Sequence, residues 1–264
     1  MTNTCKNCGQ ETKGNFCSDC GQSTHTHRVN LHHLIHEFLH GVLHVDKGIF
    51  FTIKELTIRP GQTIRNYLGG KRVNYFKPFG YLFLIATVYT LIMHFIDIPI
   101  INSDSVLKAV HTSHGSQEFE HKEMLVATNN TLQLFYNWIN ERYAISALLL
   151  LPLSAFVSFL VFYKTRYNYG EHLVINSYIV GQSTLLLIIG IPFIYYLPSL
   201  STWMYIFLPV TTIMRIYMFF SLFNNYKKVS RIFLSILCII LEYVVAWVVI
   251  MIFLMTILLF NFFS

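Results

Sequence analysis

Four cysteines near the start of the chain carry its strongest chemical signal. Cys5-Lys6-Asn7-Cys8-Gly9 and Cys17-Ser18-Asp19-Cys20-Gly21 are two CxxCG knuckles separated by eight residues. A CxxC turn presents two sulfurs on one side of a tight loop, and two such turns supply the four soft thiolates of a tetrahedral zinc site. Gly9 and Gly21 let the backbone turn so that its N–H groups approach the sulfurs. A segment this short has no core of its own, so metal binding supplies its folding free energy. Phe16 is expected to cap it. A disulfide pair and a redox CxxC are the alternatives. A reducing compartment disfavours the first, and the lack of a βαβ pattern disfavours the second. The expectation is one structural zinc ion on Cys5, Cys8, Cys17 and Cys20.

A second metal-type pattern follows. His36-Glu37-Phe38-Leu39-His40 matches HExxH, in which two histidines on adjacent helical turns hold zinc and the Glu polarises the attacking water. The apolar spacing of Leu31, Leu34, Ile35, Phe38, Leu39, Val42 and Leu43 predicts an amphipathic helix, with Asn30 as its cap and the histidines on its polar face. Seven histidines crowd the twenty residues 25–44, so the pattern is easily met by accident. The expectation is therefore no catalytic residue. Zinc hydrolysis by His36, Glu37 and His40 stands as an alternative.

The third pattern is basic. Arg59-Pro60-Gly61 is followed by Arg65, then by Gly69-Gly70-Lys71-Arg72 and Tyr75-Phe76-Lys77-Pro78. Pro60 suits the first turn of a helix and Gly69-Gly70 its end. Arg65, Lys71, Arg72 and Lys77 then stand at headgroup level, each drawn to anionic lipid by about 1 kcal/mol, and Arg59, Arg65, Lys71 and Arg72 could bind a phosphate-bearing lipid or metabolite. The same residues could dock a cytoplasmic protein partner; nucleic acid is not implied. Tyr75, Phe76 and Phe79 suit an aromatic belt.

Together, CxxCG…CxxCG, HEFLHGVLHVDKGIFFTIKEL and LTIRPGQTIRNYLGGKRVNYFKPFGYLFL resemble an uncharacterised family of bacterial polytopic membrane proteins. That family is grouped under a domain of unknown function, with an N-terminal zinc ribbon and an RPG…Y…GKR…Y…P signature. The resemblance is strong over about residues 5–85 and loose beyond. It implies a bacterial inner membrane and carries no activity, ligand or catalytic residue.

The elements that position these residues follow from composition. The 264 residues are 54% hydrophobic and only 12% charged, half the share of an ordinary soluble domain. Five apolar stretches are long enough to cross about 30 Å of hydrocarbon: about 79–101, 144–163, 173–197, 202–223 and 232–263. These exclude a soluble globule. The fold class expected is an all-α integral membrane protein of about five spans (79–263, with an outer loop at 102–143). A zinc ribbon (1–24) and an amphipathic basic juxtamembrane segment (28–78) precede it. Pro152, Pro192 and Pro209 should kink their spans. No cleavable signal peptide is expected at the start.

Basic residues set the orientation. Ten of the nineteen Lys and Arg precede Pro78, while 102–143 holds three against five acids. Loops after the second and fourth stretches are basic again. The N-terminus is expected inside and the C-terminus outside.

Two ionisable residues then lie well within spans, whereas His94 and Asp97 fall near the outer end of the first. Counting 1.5 Å per residue from the inner ends puts Arg215 about 12 Å deep and Glu242 about 15 Å deep. The expectation is an intramembrane pair. Gln182, Ser183 and Thr184 reach a similar depth, with Asn176 nearer the inside. Cys238 is expected to be a packing residue.

The leading functional reading is a non-enzymatic scaffold or accessory protein whose ribbon and basic helices bind anionic lipid or a partner protein. The alternatives are transport or lipid handling by a Gln182/Arg215/Glu242 site, and the zinc hydrolase.

Overall fold

A computed structural model describes residues 3–26, 28–30, 48–96, 141–196 and 200–263. The histidine-rich helix expected at 31–43, with His36, Glu37 and His40, lies outside the described residues. So does the outer loop up to residue 140.

Strand β1 (Asn3–Thr4) pairs antiparallel with β2 (Glu11–Thr12). The two knuckles close alike. Cys5 N–H donates to Gln10 O and Gly9 N–H to Cys5 O, as Cys17 N–H does to Gln22 O and Gly21 N–H to Cys17 O. Gly9 and Gly21 hold φ values of 83° and 71°, left-handed backbone that a side chain would strain. Phe16 does not cap the ribbon. Its ring is 68% exposed, because the buried centre of so small a unit is filled by Cys5 and Cys17.

Helices α1 (Ile49–Ile58) and α2 (Pro60–Leu68) meet at Arg59, with Pro60 at the first position of α2. Then come α3 (Pro78–Ile96), α4 (Tyr143–Val161), α5 (Tyr169–Gly190), a 3-10 turn (Ile191–Tyr196), α6 (Leu200–Leu222) and α7 (Lys228–Phe263). Among the described residues, four segments are long and apolar enough to cross a membrane: Pro78–Phe95, Tyr143–Val161, Tyr169–Phe193 and Lys228–Phe253. The remaining expected span corresponds to a shorter apolar stretch, Ile206–Leu222. The chain is an α-helical membrane protein.

Helix α5 is the hub. It packs against α1, α2, α3, α4 and α6, while α7 lies on α4 and α6. Burial on every side requires its polar groups to be satisfied internally. Ser177, Ser183 and Thr184 donate to the carbonyls four residues back. Helix α5 starts four residues before the apolar run at Leu173, because Asn168 and Glu171 form a capping box. Pro192 ends α5 rather than kinking it, lacking the N–H that would continue the ladder. Pro152 and Pro209 do lie inside helices.

Helix α2 sits hard against the end of α6. A Cβ on Gly61 would lie 2.2 Å from Ser221 O, so only glycine permits this approach. Phe76 is buried rather than at a lipid interface, and its carbonyl accepts from Tyr178 Oη at 2.7 Å.

Candidate functional site

Three constellations emerge from these elements. The first is the thiol cluster. Sulfurs of Cys5 and Cys20 lie 3.6 Å apart, those of Cys8 and Cys17 3.5 Å apart, and all four fall within 4.8 Å of one another. This set can hold a metal ion. Backbone N–H groups of Cys8 and Asn7 point at Cys5 and bring its thiol down to about 6. At Cys8 the N–H of Gln10 pulls the same way, yet desolvation and the shared contacts with Cys17, Cys5 and Cys20 carry that thiol up to about 12. Four thiolates this close repel one another unless a cation stands between them.

The second is a basic pocket of about 550 Å³ where the ribbon meets the membrane domain. Ribbon and helices are latched in two places. Gln22 Nε2 donates to Gly70 O at 2.8 Å, and Arg72 N–H donates to Gln22 Oε1 at 2.9 Å. Arg28 forks onto Glu171 at 2.8 and 2.7 Å, and Asn168 Nδ2 donates to Val29 O. Glu171 also accepts Asn168 N–H. Its carboxylate therefore caps α5 and anchors the ribbon's tail together. Around this anchor converge Lys6, Arg28, Arg65, Lys164 and Arg166, five cations against one carboxylate.

Glu171→Gln keeps the capping box, since Gln serves at that position, but weakens the Arg28 fork. With Arg28 58% exposed on its side chain, the expected loss is about 1 kcal/mol in thermal unfolding. Tryptic cleavage after Arg28 should quicken. An unchanged cleavage rate would remove the latch assignment.

The basic residues singled out in the sequence are distributed differently. Of Arg59, Arg65, Lys71 and Arg72, only Arg65 lines this pocket. It is also anchored, donating to Ser221 O and Leu222 O at 2.6 and 2.8 Å, the open carbonyls ending α6. Arg72 lies over the Tyr67 ring at 5.4 Å. Arg59 and Lys71 are exposed and outside the pocket. Lys6, Arg28, Lys164 and Arg166 take their place, drawn from segments more than 130 residues apart.

The third is within the membrane domain. Arg215 Nη2 donates to Glu242 Oε2, with side chains 15% and 3% exposed. Cys238 Sγ donates to Glu242 Oε1 at 3.6 Å, so this cysteine serves the carboxylate rather than packing alone. Ser183 and Thr184 line a cavity with the pair. Gln182 does not. It accepts from Tyr81 Oη and donates to Thr57 Oγ1 at 2.9 Å, tying α3 and α1 to α5. A Gln182/Arg215/Glu242 site is therefore not formed, since neighbours on a helix point about 100° apart. Asn176 belongs elsewhere too. It donates to Ser158 Oγ at 2.7 Å, and Ser158 lies 2.9 Å from His172 Nδ1. All three are fully buried, so the cluster joins α4 to α5.

The assembled features define a membrane protein with a four-thiol metal-type ribbon docked on its helices. A family model described as "Protein of unknown function (DUF3667)" matches residues 46–90, a stretch that holds α1 and α2 and ends within α3. No curated protein and no solved structure matches the chain significantly.

Proposed function

We propose that this is a non-enzymatic accessory protein of the bacterial inner membrane whose zinc ribbon completes a binding site for anionic lipid headgroups. The observation that carries this reading is the convergence of Lys6, Arg28, Arg65, Lys164 and Arg166 on one pocket. A phosphate there meets several donors of fixed geometry. Net charge favours an anion, and Arg65 and Arg28 are already oriented by their protein partners. The metal is zinc: thiolates at about 2.3 Å from a tetrahedral centre stand about 3.8 Å apart, close to the 3.5 and 3.6 Å separations of the sulfurs. The ribbon and pocket face the cytoplasm, as the basic bias of the flanking loops supports, with five passes and the C-terminus outside.

The test is native mass spectrometry of the protein in mild detergent with added phosphatidylglycerol or phosphatidylcholine. The double substitution Lys164→Gln and Arg166→Gln should weaken phosphatidylglycerol retention about thirtyfold, two cations at about 1 kcal/mol each. Phosphatidylcholine retention should not change. Equal retention of both lipids by the unaltered protein defeats the reading.

A further inference from the structure

The cavity beside the ion pair is independent of the basic pocket. It measures about 290 Å³ and is enclosed by α4, α5, α6 and α7. Its walls are mainly apolar, with Leu151, Val157, Val180 and Leu187 among them. Leu150, Leu153, Leu208 and Tyr243 line it and are also exposed on the outer surface, so it opens sideways toward the lipid.

Two polar groups on its lining are buried with no partner among the described residues: Ser146 Oγ and Arg215 Nε. Ser146 is 8% exposed as a residue. Three further hydroxyls of the lining are engaged, Ser183 with Ile179 O, Thr184 with Val180 O and Tyr143 Oη, and Thr211 with Leu208 O. Unsatisfied buried donors are rare in folded proteins and call for a partner.

We propose that this cavity binds a lipid with one long apolar chain and an uncharged hydroxyl head. The head's charge follows from the pair. Glu242 already balances Arg215, so a carboxylate or amine would leave net charge inside the bilayer, where it is expensive. A hydroxyl accepts from Arg215 Nε–H and can exchange a hydrogen bond with Ser146 while adding no charge. The apolar walls take the chain, which reaches the bilayer through the side opening.

The probe is photoactivatable hexadecanol, with its diazirine on the chain, added to the full-length protein in nanodiscs and mapped by peptide mass spectrometry. Labelling should saturate and concentrate on cavity residues of α4 and α5, over Phe95, which is 82% exposed on α3. Excess hexadecanol should compete and palmitate should not. Ser146→Ala should lower apparent affinity about fivefold, the worth of one neutral hydrogen bond. Ala246→Trp, which fills the cavity from one turn beyond Glu242 on α7, should abolish site labelling. Metal content and a monodisperse elution profile confirm that each variant is folded. Labelling that is unsaturable, as strong at Phe95 as in the cavity, or unchanged in both variants overturns the proposal. Competition by palmitate equal to that by hexadecanol overturns the uncharged head.

Discussion

Stripping the metal should lower retention of phosphatidylglycerol between about fivefold and thirtyfold while leaving the membrane helices intact. A structural zinc site contributes about 10–16 kcal/mol to a unit of this size, and the described part of the ribbon has two two-residue strands and the Phe16–Ser23 bridge to fall back on. Lys6 lies inside the first knuckle, and its Nζ donates to Thr26 O at 2.9 Å. Loss of the ribbon removes Lys6 from the pocket outright. It also frees the Gln22 latch and slackens the tail that carries Arg28. One or two cations at about 1 kcal/mol each set the range. Cys17→Ser should act like a chelator, because Cys17 is 3% exposed and central to the cluster. Metal analysis should give one ion per chain before and none after. Circular dichroism should show helix content nearly unchanged. Retention unaltered after complete metal loss would separate the ribbon from the pocket.

The second large effect concerns Arg215 and Glu242. Replacing either residue alone by leucine leaves a charge nearly enclosed by α4, α5, α6 and α7. The cost of breaking such a pair is about 3–5 kcal/mol. Removing both together should recover most of that loss, since two apolar side chains replace a pair that was itself costly to desolvate. Unfolding in detergent by chemical denaturant measures the four proteins of this cycle. A double variant no better than the worse single one would mean that the two residues act separately. Lipid headgroup retention should stay constant across the cycle, because neither residue touches the basic pocket.

These two predictions differ in how far the sequence leads to them. The thiol cluster is legible because its ligands lie within sixteen residues and the CxxCG turn is a local geometry. The membrane class is legible because crossing hydrocarbon demands length and apolarity, both readable along the chain. Depth is legible as well. A fixed rise per residue puts Arg215 and Glu242 at matching heights on helices joined by a short loop, and the structure has them in contact.

Direction around a helix axis is less readable. Gln182, Ser183 and Thr184 share a depth, yet Gln182 turns toward Tyr81 and Thr57 while its neighbours turn toward the cavity. Hydropathy says little here, because α5 is buried almost all round and has no polar face to mark. Arg65 and Arg72 show the same limit. A basic run suggests headgroups, but Arg65 is spent partly on the carbonyls that end α6, and Arg72 lies against Tyr67.

What the amino-acid order determined by itself is everything set by local geometry or by the solvent: the knuckles, the apolar helices, the matching positions of the two buried charges along theirs. The basic pocket was decided only by tertiary structure. Its cations come from the ribbon, from α2 and from the loop after α4, and they meet because Arg28 reaches Glu171, 143 positions away, and Gln22 reaches the Gly70–Arg72 turn. Each charge taken alone is an ordinary basic residue beside an apolar helix. Docking the ribbon on the helices turns a charge bias into a site, because an anion responds to how closely cations stand in space and not to their order along the chain.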